Sequence, residues 1–137
     1  MKGRREFVRA RADGACEYCR LPEVLSGASF HIEHIVPSSR GGVDEESNLA
    51  LSCPRCNMHK GDRIHADDPR TGRRARLFNP RKDPWSVHFR WSRDRRKIVG
   101  RTAVGRATVR ALDFNSKMRQ RLRAIWRDRL RDMFPFE

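Results

Sequence analysis

The stretch Phe30-His31-Ile32-Glu33-His34-Ile35-Val36-Pro37, with Asn48-Leu49-Ala50-Leu51-Ser52 and then Cys53-Pro54-Arg55-Cys56-Asn57-Met58-His59-Lys60-Gly61, decides the fold of this chain. Phe30 to Glu33 alternates apolar and polar side chains, the pattern of a half-buried strand; His34-Ile35-Val36 breaks the alternation and Pro37 ends it. Ser38–Glu46 contains Gly41-Gly42 and three acids, which reads as an exposed loop. Leu49–Ser52 is a second short strand that runs straight into a cysteine turn, and a short helix follows from Pro54 or Arg55 to about Asp62. The expected order is strand, loop, strand, helix.

Working outward, the cysteines come in two pairs, Cys16-x-x-Cys19 and Cys53-x-x-Cys56, separated by 33 residues. Two such knuckles are the ligand set of a tetrahedral four-cysteine zinc site; a redox centre needs only one. The chain opens Met1-Lys2-Gly3-Arg4-Arg5 with no apolar leader, and its longest stretch free of charged residues, Val24–Ile32, is nine residues. That is too short to span a bilayer and predicts a cytoplasmic protein whose thiols stay reduced, which favours metal over disulfides.

Charge is the other strong signal. The 137 residues carry 31 Lys and Arg, 26 of them Arg, against 17 acids, a net charge of +14. This points away from an ordinary metabolic enzyme and toward a polyanionic partner. Residues 1–62 hold nine cations and nine anions, whereas residues 63–137 carry the whole excess. Leu, Ile, Val and Phe number only 28, so the core is expected to need help from a metal.

The expected organisation is a zinc-stapled core at 1–66 and an Arg-rich extension at 67–137 packed on it. Ahead of the first knuckle, Arg4–Ala12 reads as a helix stopped by Asp13-Gly14. In the extension, Asp67–Gly72 reads as a loop and Arg73–Arg76 as a basic run. Trp85–Trp91 alternates and predicts a strand, with Ile98-Val99 as its partner. Thr102–Leu112 and Ser116–Met133 read as helices, the second with a core stripe of Met118, Leu122, Ile125, Trp126, Leu130 and Met133. Arg73, Arg74, Arg76, Arg81 and Arg90 lie outside that stripe and are candidates to neutralise phosphates.

The chemistry is concentrated near His34. Glu33 precedes it, Asn48 follows fourteen residues later and Asn57 nine after that. A carboxylate and an amide carbonyl suit a hard divalent cation, and a neutral imidazole accepts a proton from water near pH 7. Together they suit metal-assisted attack on a phosphodiester. Lys60, three after Asn57, shares its helix face and is a candidate phosphate contact. His31, on the strand face of Glu33, is a possible contributor, as is His88 on a polar strand face. His59, two residues past Asn57, should point elsewhere.

These residues closely resemble the HNH endonucleases of the ββα-metal class: Phe30 to Pro37, then Arg40-Gly41-Gly42, Asn48-Leu49 and Cys53-x-x-Cys56-Asn57-x-x-Lys60-Gly61, over about Cys16 to Asp62. Leu77-Phe78-Asn79-Pro80-Arg81, Trp85-x-x-His88-Phe89 and Thr102-x-x-Gly105-Arg106-Ala107-Thr108-Val109 resemble the C-terminal part of a standalone bacterial group. The resemblance implies an α+β fold with a ββα-metal core and a basic hairpin-plus-helices extension. It implies that His34 is the general base, that Glu33 and Asn57 ligate the catalytic ion, and that Asn48 bridges the loop and orients His34. Many relatives have Asp at position 33 and His at position 57; Glu and Asn here favour Mg2+ or Mn2+ over a catalytic zinc. The implied activity is a DNA endonuclease leaving 5′-phosphate and 3′-hydroxyl ends. The alternative is a zinc-ribbon-like DNA-binding protein with a degenerate nuclease centre.

Overall fold

A computed structural model describes residues 2–136. Helix α1 (Lys2–Arg11) buries Val8 and stops where Asp13 and Gly14 adopt left-handed conformations. The first knuckle then closes as a tight turn, with Arg20 N–H donating to the Cys16 carbonyl at 2.9 Å and Cys16 N–H to the Leu21 carbonyl at 2.9 Å. A single helical turn, α2 (Glu23–Ser26), follows Pro22.

Strand β1 (His31–His34) pairs antiparallel with β2 (Leu49–Ser52), in a register that sets Glu33 opposite Ala50 and His34 opposite Leu49. The second strand is buried along its whole length. Helix α3 (Pro54–Lys60) starts at the second knuckle, where Cys53 is the cap, its sulfur accepts the Cys56 N–H, and Pro54 occupies the first turn. Strand, loop, strand and helix therefore follow in the expected order.

The extension holds more structure than expected. Strands β3 (His65–Asp67) and β4 (Arg74–Arg76) form a hairpin where the sequence suggests a loop and a basic run. Its turn is closed by Asp68, which accepts from Arg70 N–H and Thr71 and is held from afar by both prongs of Arg106, at 2.8 and 2.9 Å. The strand expected over Trp85–Trp91 is also corrected. Trp85–His88 is a helical turn, α4, entered through Pro84, and only β5 (Phe89–Trp91) is extended, paired with β6 (Ile98–Gly100). Trp85 and His88, three apart, are both buried, which a helical turn achieves and a strand does not; Val87 is left exposed.

Helix α5 (Ala103–Ala111) is capped by Thr102 and packs against β6 and the His88 carbonyl. Contact is so close that a Cβ on Gly105 would lie 2.0 Å from that oxygen, so only glycine fits there. Helix α6 (Lys117–Ile125), capped by Ser116, continues as a π-helical turn over Trp126–Leu130. Its inward face keeps only part of the expected apolar stripe: Trp126 is buried and Leu122 packs on the core, but Met118, Ile125 and Met133 are exposed, while Arg119 and Arg123 are buried. Acceptors explain the reversal: Arg119 Nη1 donates to the Leu112 carbonyl at 3.1 Å and to the Cys56 sulfur at 3.5 Å, and Arg123 Nη1 donates to the Arg96 carbonyl at 2.9 Å.

One apolar cluster runs from Val8 through the cysteines, Phe30, Leu49 and Leu51 to Phe78, Trp85, Phe89, Ile98 and Phe114. Aromatic rings from the extension meet the first knuckle: Phe78 lies edge-on to Tyr18 at 6.4 Å and to Phe89 at 5.1 Å. The Trp85 indole N–H donates to the Tyr18 carbonyl at 2.9 Å. No helix among the described residues is long and apolar enough to cross a membrane.

Candidate active site

The two knuckles bring Cys16, Cys19, Cys53 and Cys56 together, all four sulfurs within 4.8 Å of one another and all buried without a disulfide. Metal–sulfur bonds of about 2.3 Å in a tetrahedron put sulfurs roughly 3.8 Å apart. Cys19 Sγ lies 3.7 Å from Cys53 Sγ, so the cage fits an ion of this kind. Backbone N–H groups of Cys19 and Cys56 point at Cys16 and Cys53 sulfurs at 3.5 and 3.4 Å. Burial pushes the Cys16 and Cys56 thiols up, whereas hydrogen bonds from the other cysteines pull Cys19 down. Arg119 supplies a further positive charge beside Cys56.

Beside this cage, the end of β1 and the face of α3 enclose an open cleft of about 310 Å3. His31, Glu33, His34 and Asn57 all line it, together with Asp62. Glu33 and His34 are sequence neighbours, yet both reach the cleft because β1 ends at His34 and the chain turns there. Glu33 is 7% exposed. Tyr18 hydroxyl donates to its Oε1, and Lys60 Nζ lies 3.4 Å from its Oε2. Burial nevertheless holds the Glu33 carboxyl above its ordinary value, against the pull of Lys60 and Tyr18. The Asn57 side chain makes no hydrogen bond to any described residue, leaving its carbonyl oxygen available. Carboxylate and amide oxygens are the donor set a hard divalent cation takes.

His34 sits at the rim, its Nε2 3.0 Å from Asp44 Oδ1. Asp44 also accepts from Arg4 at 2.9 Å. Its carboxyl is held below the ordinary range by the His34 contact and then by Arg4. An ionised carboxylate only accepts, so Nε2 donates to Asp44.

Asn48 stands behind the cleft rather than in it. Its Nδ2 donates to the Val36 carbonyl at 2.9 Å and the Val43 carbonyl at 2.8 Å, while its Oδ1 accepts the Val36 N–H at 2.9 Å. It bridges the loop, as the resemblance implies, and it is Asp44 that bonds His34. Asn48→Ala removes three hydrogen bonds at a buried site and is expected to lower stability by about 2–3 kcal/mol, read as a shifted urea midpoint at unchanged slope.

Several candidates lie elsewhere. Lys60, expected as a phosphate contact, is 1% exposed and donates to the Ile35 carbonyl at 2.8 Å; helix spacing gives its face, and the depth of the groove beneath β1 sets its burial. His59 faces Asp113 at 3.8 Å, away from the cleft. His88 is buried against Phe78, its Nδ1 2.7 Å from Thr102 Oγ1, so it presents nothing to DNA. Arg81 pairs with Glu17 and is largely enclosed; burial, with Arg11 nearby, brings its pKa down to about 10. Arg76 pairs with Asp83 at 2.6 Å at an exposed position. Arg73, Arg74 and Arg90 are exposed.

Sequence reading missed Tyr18, Asp44 and Asp62. Tyr18 shows no pattern beyond lying inside a knuckle, and Asp44 is one of three consecutive acids with nothing to single it out.

Histidine, carboxylate and amide thus share one cleft of a strand–loop–strand–helix unit that also carries a cage of four cysteines. Residues 16–63 match the family model described as HNH endonuclease, so the chain carries an HNH endonuclease domain there. No curated protein and no solved structure matches the chain.

Proposed function

We propose that the protein is a divalent-metal-dependent DNA endonuclease, with a zinc-stapled nuclease core at residues 1–66 and a basic extension at 67–137 that grips the substrate. The observation that carries this reading is the single cleft shared by Glu33, His34 and Asn57 inside the matched segment. His34 Nδ1 takes a proton from the attacking water, with Asp44 holding the opposite nitrogen. Glu33 and Asn57 oxygens hold Mg2+ or Mn2+. When bound, that cation supplies Lewis-acid stabilisation of charge on the phosphate and the leaving 3′ oxygen. Asn48 keeps the loop after β1 in shape, and Cys16, Cys19, Cys53 and Cys56 hold structural zinc.

The test is relaxation of supercoiled plasmid with Mg2+ or Mn2+. EDTA stops it, and restored Mg2+ recovers it while zinc stays bound. No relaxation under any divalent cation, with DNA binding intact, favours the second reading, a DNA-binding protein with a degenerate centre. One observation supports that second reading: both Glu33 oxygens already have protein partners.

DNA binding by the extension has its own signature. Substituting Arg73, Arg74 and Arg90 with Gln is expected to reduce the slope of log affinity against log salt by roughly 0.9 per lost phosphate contact. Fluorescence anisotropy of labelled duplex at several salt concentrations measures it.

A further inference from the structure

Each cysteine knuckle sends one buried donor to the same carboxylate. Tyr18 lies inside the first knuckle, between Cys16 and Cys19, is 1% exposed, and its hydroxyl donates to Glu33 Oε1. Lys60 lies on α3, the helix that the second knuckle starts; it is equally buried, and its Nζ sits 3.4 Å from Glu33 Oε2 and 2.8 Å from the Ile35 carbonyl. Neither donor faces solvent, and neither is among the residues that line the cleft. We propose that Tyr18 and Lys60 are positioning residues that aim the Glu33 carboxylate at the catalytic cation, so that cation affinity is set by the cysteine cage. This rests on the reading of Glu33 as a cation ligand.

The physical argument is one of preorganisation. A carboxylate has about four lone-pair sites, and one donor on each oxygen leaves others directed outward. Without the donors, the Glu33 side chain is free to turn about its last torsion, which is broad for a carboxylate. Binding a cation then costs the ordering of that group as well. With them, the plane is fixed before the cation arrives. Tyr18 is itself fixed from three sides: by flanking Cys16 and Cys19, by the Trp85 indole on its carbonyl at 2.9 Å, and by Phe78 against its ring. Lys60 is fixed by the Ile35 carbonyl, one residue beyond His34. Partners of this kind, one shell removed from a metal, are worth tenfold to a hundredfold in affinity.

The experiment is a Mn2+ titration of the zinc-loaded full chain without DNA, read by the loss of free-ion electron paramagnetic resonance signal, with zinc content and melting temperature measured alongside. Tyr18→Phe keeps the ring and removes one hydroxyl. It is expected to weaken Mn2+ binding tenfold or more at unchanged zinc content. Wild-type affinity in Tyr18→Phe, with Glu33→Gln weakened, overturns the inference and leaves the ligand role of Glu33 standing. Wild-type affinity in Glu33→Gln overturns both. Should Tyr18→Phe lose zinc, Lys60→Met, approaching from the other knuckle and leaving the cysteines and Tyr18 in place, carries the same expectation and the same refutation.

Discussion

Removing the ion from the four cysteines, by a strong zinc chelator or by Cys53→Ala, is expected to abolish the cooperative thermal transition of this protein. All four cysteines are members of the apolar cluster, and α1, the β1–β2 pair and α3 are joined through the knuckles they form. Structural zinc sites of this type are worth about 10–16 kcal/mol of apparent folding free energy near neutral pH, as much as the whole stability of an ordinary domain. Loss of the ion also alters the charge beside Arg119, whose Nε and Nη2 have no hydrogen-bond partner among the described residues and whose Nη1 reaches the Leu112 carbonyl and Cys56. Breaking a buried charge arrangement from one side typically costs about 3–5 kcal/mol. Circular dichroism melts with and without chelator, paired with zinc analysis, check this. A metal-free protein that melts cooperatively at the same temperature contradicts it.

His34→Ala is expected to lower the plasmid relaxation rate by about 10²–10⁴-fold, the range that a positioned general base supplies. His34 is half-exposed at the cleft rim, and only its ring meets Asp44, so truncation disturbs little of the core. Zinc content, melting temperature and DNA affinity are therefore expected to stay at wild-type levels, which separates lost chemistry from lost fold. Initial rates under saturating Mg2+ provide the measurement. A rate within a few-fold of wild type would remove His34 from the base role.

The nuclease core was legible because its signals are local. Cys-x-x-Cys spacing, the break after Glu33 and Pro37, and the buried run Leu49–Ser52 each act within a few residues, and the elements fall where those signals put them. What lay hidden depends on partners distant in sequence. Three-residue strands β3 and β4 have too little length for periodicity, and Asp68 depends on Arg106, 38 residues on. Trp85 to Trp91 alternates equally well as a short helical turn joined to a strand, and the choice follows from burying Trp85 and His88 together. On α6, hydrophobicity pointed to Met118 and Ile125, but carbonyls and a sulfur across the interface select Arg119 and Arg123. In the cleft, Glu33, His34 and Asn57 were visible in the sequence, while Lys60, expected on the face of Asn57, lies outside the cleft lining, buried against Glu33 and the Ile35 carbonyl.

The grip of Asn48 on the loop has an evolutionary consequence. Its amide ties Val36 to Val43, and Gly42 N–H returns to the Pro37 carbonyl at 3.0 Å, so both ends of the loop are clamped below its tip. The tip, Ser38–Arg40, is an exposed turn that ends at Gly41 in a left-handed conformation. Closing a longer segment over a clamped base costs only about 0.6 kcal/mol for each doubling of length. Insertions between Ser38 and Gly41 are thus cheap and leave the clamp and the end of β1 in place. Ser38 borders the cleft, so the same insertions would alter what meets the substrate. This short segment is where descendants of the chain can acquire new target preferences without rebuilding the catalytic centre.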